Sequence, residues 1–202
     1  MVNILVAFYS RSGTIEALAN AIAEGARESG AEVRLRRTRE IVSAEVMSRV
    51  PNWPENASRM NAAYEAPTEG DAEWADAIVF GTPTRFGMCS SELKAYIDSL
   101  GGLWARGKLA GKVGSVFSAT SSLHGGNETT IVSLYAPLAH FGMIIVPLGY
   151  TDPVMFRAGT PYGSSASTGR ERRPITEDES RVAHWQGRRV TDITRKLQGP
   201  TD

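Results

Sequence analysis

Three hydroxyls and a glycine crowd the run Ser10-Arg11-Ser12-Gly13-Thr14-Ile15, directly after a continuous apolar stretch. A strand that ends in such a run and opens a helix presents free backbone N–H groups and partial positive charge. That is the chemistry of phosphate binding. Gly13 lets the backbone approach an anion closely, and the hydroxyls of Ser10, Ser12 and Thr14 add donors. A helix cap needs one hydroxyl, so three hydroxyls and a glycine point beyond capping. A second run, Gly81-Thr82-Pro83-Thr84-Arg85-Phe86-Gly87-Met88, offers backbone amides, one guanidinium and one ring. A flat heteroaromatic ligand needs that mixture of apolar faces and edge hydrogen bonds. An ordinary connecting loop with Phe86 tucked into the core has the same composition. A third run, Ser118-Ala119-Thr120-Ser121-Ser122-Leu123-His124-Gly125-Gly126, is small and flexible, which suits wrapping a ligand or merely a polar loop.

Other chemistries lack their residues. No G-x-G occurs, so the dinucleotide fingerprint is missing. Gly102 to Lys108 spells G-x-x-x-x-G-K, but Leu109 stands where a metal-binding Ser or Thr belongs, and the run precedes a strand. It reads as coincidence. No G-x-S-x-G elbow is present. The histidines His124, His140 and His184 are too scattered for a metal site, and Cys89 reads as a small buried apolar residue. Trp53, Trp74 and Trp185 read as packing or interface residues. Arg170, Arg172, Arg173, Arg188 and Arg189 read as a solvated surface offset by nearby acids.

The elements that must position these runs follow from hydrophobic pattern. Ile4–Tyr9, Ala77–Thr82, Val113–Ser118 and Met143–Pro147 are short apolar runs, as expected of strands buried on both faces. Val33 and Leu35 alternate with charges, as on an outer strand. Ile15, Leu18, Ala19, Ile22 and Ala26 follow the helical period, with Gly30 as the C′ residue. Glu92–Leu100 reads as a helix. Asn127 reads as the cap of another that runs to about Phe141, with Pro137 a point of kinking. Thr176 and Glu179 form a capping box before a last helix through Leu197. Residues 40–72 read as loop with short helices and 150–175 as an excursion loop. Strands alternating with helices give a doubly wound α/β parallel sheet. Its ligands sit beyond the C-terminal strand ends, where all three runs fall.

The chain of 202 residues has 22 basic and 22 acidic residues, so its net charge is zero. That balance counts against a polyanion or membrane-surface binder. The apolar fraction of 42% is too high for a disordered chain, and the length suits one domain over residues 1–199. One cysteine excludes an internal disulfide framework, and no apolar run approaches a membrane span. A soluble cytoplasmic protein is the expectation.

Together these segments resemble the WrbA family of flavodoxin-like NAD(P)H:quinone oxidoreductases. The matching pieces are SRSGTI, FGTPTRFGMCS, SLGGLWARGKLAGK, LAHFGM, IIVPLGY and GTPYG, in family order over nearly the whole chain. The resemblance implies a flavodoxin-like fold: a five-stranded parallel sheet of order 2-1-3-4-5 with helices on both faces, and FMN bound without covalent attachment. Ser10, Gly13, Thr14 and Ile15 would take the FMN phosphate, with Arg11 and Ser12 adjacent. Pro83, Thr84, Arg85 and Phe86 would line the isoalloxazine. Ala119, Thr120, Ser121, Ser122, Leu123, His124 and Gly125 would hold its other edge. His140 matches a family histidine near the flavin and is the candidate catalytic residue, as proton relay or partner of flavin charge. A hydrogen-bonded structural histidine is its equal alternative. Trp104 matches an aromatic of the quinone and nicotinamide pocket. The resemblance also implies a homotetramer whose sites are completed by neighbouring subunits. Ser12 stands where the family often has Tyr.

The activity so implied is ping-pong two-electron reduction of a quinone by NADH or NADPH, with the hydride chemistry carried by the cofactor. The competing readings are a flavodoxin-type electron carrier, against which Trp104 on its Gly-rich loop counts, and a regulatory protein-binding module, for which no DNA-reading element is present.

Overall fold

The computed structural model describes residues 1–199. Its first strand, β1 (Val2–Phe8), is buried on both faces, so its alternate side chains feed two cores. Val2, Ile4, Val6 and Phe8 face one side, and Leu5, Ala7 and Tyr9 the other. The remaining elements follow in order: α1 (Thr14–Glu28), β2 (Ala31–Arg37), α2 (Ala44–Ser48), α3 (Trp53–Ala63), α4 (Glu69–Trp74), β3 (Ala77–Pro83), α5 (Ser91–Ser99), α6 (Gly101–Ala105), β4 (Val113–Thr120), α7 (Asn127–His140), β5 (Ile144–Ile145), a 3-10 turn (Pro153–Phe156), β6 (Ser165–Ser167) and α8 (Glu177–Gln198).

The sheet is parallel with order β2-β1-β3-β4-β5, so the order reverses between β1 and β3. That is the switch point of an open α/β sheet, and the crevice lies beyond the C-terminal ends of β1, β3 and β4. α1 and α8 cover one face, with Ile15, Leu18, Ile22 and Val190 against the sheet. α5 and α7 cover the other, through Leu93, Ile97, Ile131 and Leu134.

Three expectations need correction. The sheet has a sixth strand: β6 pairs with the C-terminal end of β4, Ser118 opposite Ser165 and Thr120 opposite Ser167. The fifth strand is only Ile144–Ile145, because Val146 leaves the ladder after a last bond to the Gly114 carbonyl. Asn127 does not cap α7. Gly126 does, with φ 87°, and Asn127 instead turns its amide toward the Ala166 carbonyl and Ser167 Oγ. Pro137 lies inside α7 without ending it. The capping box of Thr176 and Glu179 is present, with the Glu179 amide donating to Thr176 Oγ1 at 3.1 Å and Glu179 Oε2 accepting from the Thr176 amide at 2.7 Å.

Two glycines fix how α1 and α8 cross. A Cβ on Gly25 would lie 2.0 Å from the His184 carbonyl oxygen, and one on Gly187 1.9 Å from that of Ile22. Only hydrogen fits at either position, so the two backbones touch.

Candidate functional site

The β1–α1 turn is held from below. Ser10 is buried, its Oγ accepts from the Gly13 amide at 3.1 Å, and its carbonyl accepts from Arg37 at 2.8 Å. Gly13 caps α1 at φ 97°, a conformation that side chains resist. Among the described residues, the amides of Ser12, Thr14 and Ile15 meet no protein acceptor. Three unpaired donors at a helix N-terminus, walled by hydroxyls, suit an oxyanion.

Arg37 is the fully buried last residue of β2. Besides Ser10 it binds both oxygens of Glu40, and it donates to Asn61 Oδ1 at 2.5 Å. Trp53 donates to Glu40 and lies under the Arg11 guanidinium, 5.0 Å from the ring centre. Stacking on Trp53 therefore orients Arg11 at the mouth of the turn.

The second run forms a tight hairpin. The amides of Arg85 and Met88 exchange bonds with each other's carbonyls at 2.8 and 3.1 Å. Phe86 (φ 55°) and Gly87 (φ 80°) both lie in the left-handed region, as a type I′ turn demands. Phe86 is fully exposed, so the core location weighed for it from sequence is not what the fold adopts. A bare aromatic ring on a left-handed non-glycine residue carries local backbone strain. Thr84 ties the hairpin down: its amide donates to the Ala119 carbonyl, and its Oγ1 accepts from Gly87 and from Thr130 Oγ1 at 2.8 Å. Gly81 is required below it, because a Cβ there would lie 2.1 Å from the Phe117 ring.

The third run turns sharply after β4. Thr120 Oγ1 and the Gly125 amide both donate to the Ser122 carbonyl, at 2.8 and 3.0 Å. Ser10, Arg11, Ser12, Thr14, Ile15, Pro83, Thr84, Arg85, Ala119, Thr120 and Ser121 line one cleft of about 150 Å³. Gly13 sits within that wall as the cap of α1. Phe86, Ser122, His124 and Gly125 lie outside the lining, and Leu123 borders a separate surface hollow with Arg157 and Glu179. Arg172 also lines the cleft. Sequence reading placed it on a solvated surface, since nothing local marks one arginine of a basic run as turned inward.

His140 and Trp104 are brought together, but elsewhere. Trp104 Nε1 donates to the His140 carbonyl at 2.8 Å, and both line a largely apolar cavity of about 450 Å³ with Met88, Cys89, Ile97, Pro137 and Phe141. Met88 is common ground: it ends the Phe86 hairpin and borders this second cavity.

Burial chiefly, and then the nearby Arg85, hold the Arg11 guanidinium below its ordinary range. Burial, helped by Glu92 and Glu40, raises the Tyr9 phenol well above its usual range. Burial would raise Glu40, but the hydrogen bond and charge of Arg37 win and hold it below the usual carboxylate range. Burial pushes the Cys89 thiol up, which is the opposite of a reactive thiolate. His184 pairs with Glu28 at 2.9 Å, away from the cleft. Lys108 of the G-x-x-x-x-G-K run pairs with Glu73. Among the described residues no cluster of metal-ligating side chains occurs, and no helix is long and apolar enough to cross a membrane.

Residues 2–151 match the family described as NADPH-dependent FMN reductase. The chain is 42% identical over 199 residues to an NAD(P)H dehydrogenase (quinone) of Deinococcus radiodurans, covering 98% of each. It is 44% identical over 207 residues to one of Brucella ovis, covering 98% of this chain and all of that one. Among solved structures it is similar to a WrbA-like flavodoxin of Agrobacterium tumefaciens, with 25% identity, TM-score 0.67, and coverage of 98% and 99%. An archaeal flavodoxin shares the fold at TM-score 0.61.

Proposed function

The chain belongs to the NADPH-dependent FMN reductase family, and from that premise we propose that it is an FMN-dependent NAD(P)H dehydrogenase acting on quinones. The activity named for its relatives over nearly the full chain supports the reading. The observation that carries it is the cleft at the switch point, where the Ser12, Thr14 and Ile15 amides, unpaired among the described residues, meet hydroxyls and the guanidiniums of Arg11, Arg85 and Arg172.

These residues fit FMN. Among the described residues the amides of Ser12, Thr14 and Ile15 have no protein acceptor, and they match a phosphate dianion, with Ser10 and Gly13 shaping the turn and Arg11 adding charge. Thr84, Arg85, Phe86 and Pro83 take one side of the isoalloxazine. From the third run Ala119, Thr120 and Ser121, which line the cleft, take its other edge. When bound, FMN supplies the hydride chemistry, accepting two electrons from the nicotinamide donor and yielding them to the quinone in alternating half-reactions.

The protein's part is to bind, orient and exclude water. The type I′ turn holds Phe86 out from the cleft mouth, where its ring makes an apolar wall for a flat substrate. Trp104 and His140 sit in a different cavity of the same chain, so their roles as quinone wall and proton relay belong to a homotetramer in which a neighbouring copy brings them to the Phe86 hairpin. The Trp104 indole is held against the His140 backbone by its hydrogen bond to that carbonyl.

The test is direct. Purified protein is titrated with FMN, freed of excess, and mixed without oxygen with NADH or NADPH and then a quinone. Bound yellow flavin that bleaches with donor and recovers with quinone is the expected result; failure to bind FMN refutes the reading.

A further inference from the structure

The excursion loop is stitched to the cleft rim. β6 extends the sheet along the end of β4, and the next residue, Thr168, donates its amide and its hydroxyl to the Thr120 carbonyl at 3.0 and 3.3 Å. A turn follows, closed by the Arg172 amide on the Gly169 carbonyl at 3.2 Å. Arg172 itself holds φ 55°, the left-handed region that a non-glycine residue adopts rarely. Its successor is anchored: the Arg173 amide donates to the Thr168 carbonyl at 2.9 Å. The Arg173 guanidinium binds both oxygens of Glu179 at 2.8 Å and the Ser167 carbonyl at 2.7 Å. Glu179 is itself the N3 residue of the α8 capping box. The backbone on both sides of Arg172 is therefore pinned, and its side chain is sent over the cleft.

Three guanidiniums line that cleft, those of Arg11, Arg85 and Arg172, and among the described residues none of them forms an ion pair. Arg11 feels the crowd: after burial, Arg85 and Arg172 depress it, while Tyr9 and Glu92 act the other way. Like charges gathered without counter-charge are unfavourable unless an anion joins them.

We propose that Arg172 is a ligand of the phosphate monoester bound at the β1–α1 turn, since its side chain lines the same cleft as that turn. The inference rests on the FMN reading above and adds to it a residue from the far end of the chain. A guanidinium matches phosphate oxygens with two parallel N–H bonds, a geometry that an ammonium lacks.

Full-length apoprotein, wild type and the Arg172→Ala and Arg172→Lys variants, is titrated with FMN and, separately, with riboflavin, which lacks the phosphate. Flavin fluorescence reports Kd. Arg172 is solvent-exposed, so its replacement leaves the core intact. The expected result is an FMN Kd raised roughly 10- to 100-fold in Arg172→Ala, a smaller rise in Arg172→Lys, and riboflavin binding unchanged. The wild-type FMN Kd should also weaken more steeply with salt than that of Arg172→Ala. Wild-type FMN binding with an Arg172→Ala Kd within about twofold overturns the inference alone. So does an equal loss for FMN and riboflavin, or an effect confined to the KM for NADPH. No FMN binding by the wild type overturns the function reading, and this inference with it.

Discussion

The guanidinium of Arg37 donates to the carbonyl oxygen of Ser10 at 2.8 Å, from the end of β2 to the end of β1. It does so without solvent, with Glu40 and Asn61 as its other partners. A buried ion pair of this kind holds the turn's shape more than it adds net stability. Removing one partner strands the other. Arg37→Met should therefore cost about 3–5 kcal/mol in urea unfolding and weaken FMN binding through the loosened Ser10 carbonyl. The double variant Arg37→Met/Glu40→Leu should recover most of the stability. A single variant as stable as wild type would contradict the pairing.

The same pair sets a pH dependence. Glu40 lies below its ordinary value of 4.5 in the folded protein, because Arg37 outweighs the effect of burial. A depressed carboxylate stabilises the fold above its unfolded pKa, and that contribution fades as pH falls through the folded pKa. The urea midpoint should drop as pH is lowered beneath about 4.5, and Glu40→Gln should show a shallower fall. Parallel curves for the two proteins would remove Glu40 from the account.

Phe86 tests strain against use. Phe86→Gly should leave the fold unharmed and raise stability by about 0.5–1 kcal/mol, since glycine accepts the left-handed turn. Quinone turnover should fall in the same variant. Thermal unfolding and steady-state kinetics on one preparation check both, and lowered stability with full turnover would reverse the assignment.

Tyr9 carries a buried phenolic oxygen without a hydrogen-bond partner among the described residues. Its removal by Tyr9→Phe should leave stability unchanged or raise it by up to about 1 kcal/mol. A clear loss in chemical denaturation would mean that the hydroxyl has a partner.

Trp104→Ala should lower kcat/KM for quinone far more than it weakens FMN binding, because the indole lies in a cavity separate from the phosphate cleft. Equal losses of both would contradict its place as a substrate wall.

Gly187→Ala brings a methyl carbon to 1.9 Å from the Ile22 carbonyl oxygen. It should destabilise by about 1–3 kcal/mol or more. Because α1 must shift to make room, FMN affinity should fall too, although Gly187 is remote from the cleft. Unchanged affinity alongside the stability loss would show that the shift stops short of Gly13.

Much of this was legible in the sequence. The apolar runs Ile4–Tyr9, Ala77–Thr82 and Val113–Ser118 read as buried strands, so the loops after them had to meet at one sheet edge. That logic located Ser10–Ile15, Thr84, Arg85 and Ser121. It could not locate β6, whose Ser165-Ala166-Ser167 carries no hydrophobic or β-branched signal and pairs only because β4 runs on beyond β5. Nor could it single out Arg172, whose inward course depends on a left-handed turn and on Arg173 gripping α8. Phe86 reads as a core residue by type, and only the paired positive φ values at Phe86 and Gly87 send it outward. Trp104 and His140 entered only through resemblance and in separate roles; their contact across 36 residues was not legible in the sequence.

The contact of α1 with α8 at Gly25 and Gly187 carries a consequence for the order of events during synthesis. The β1–α1 turn is synthesised well before the helix that packs beside α1 and braces Arg173. Until α8 emerges, the nascent chain holds half a socket: amides on one side and no arm from the other. Flavin captured before that moment would be held loosely, so firm loading belongs to the finished polypeptide.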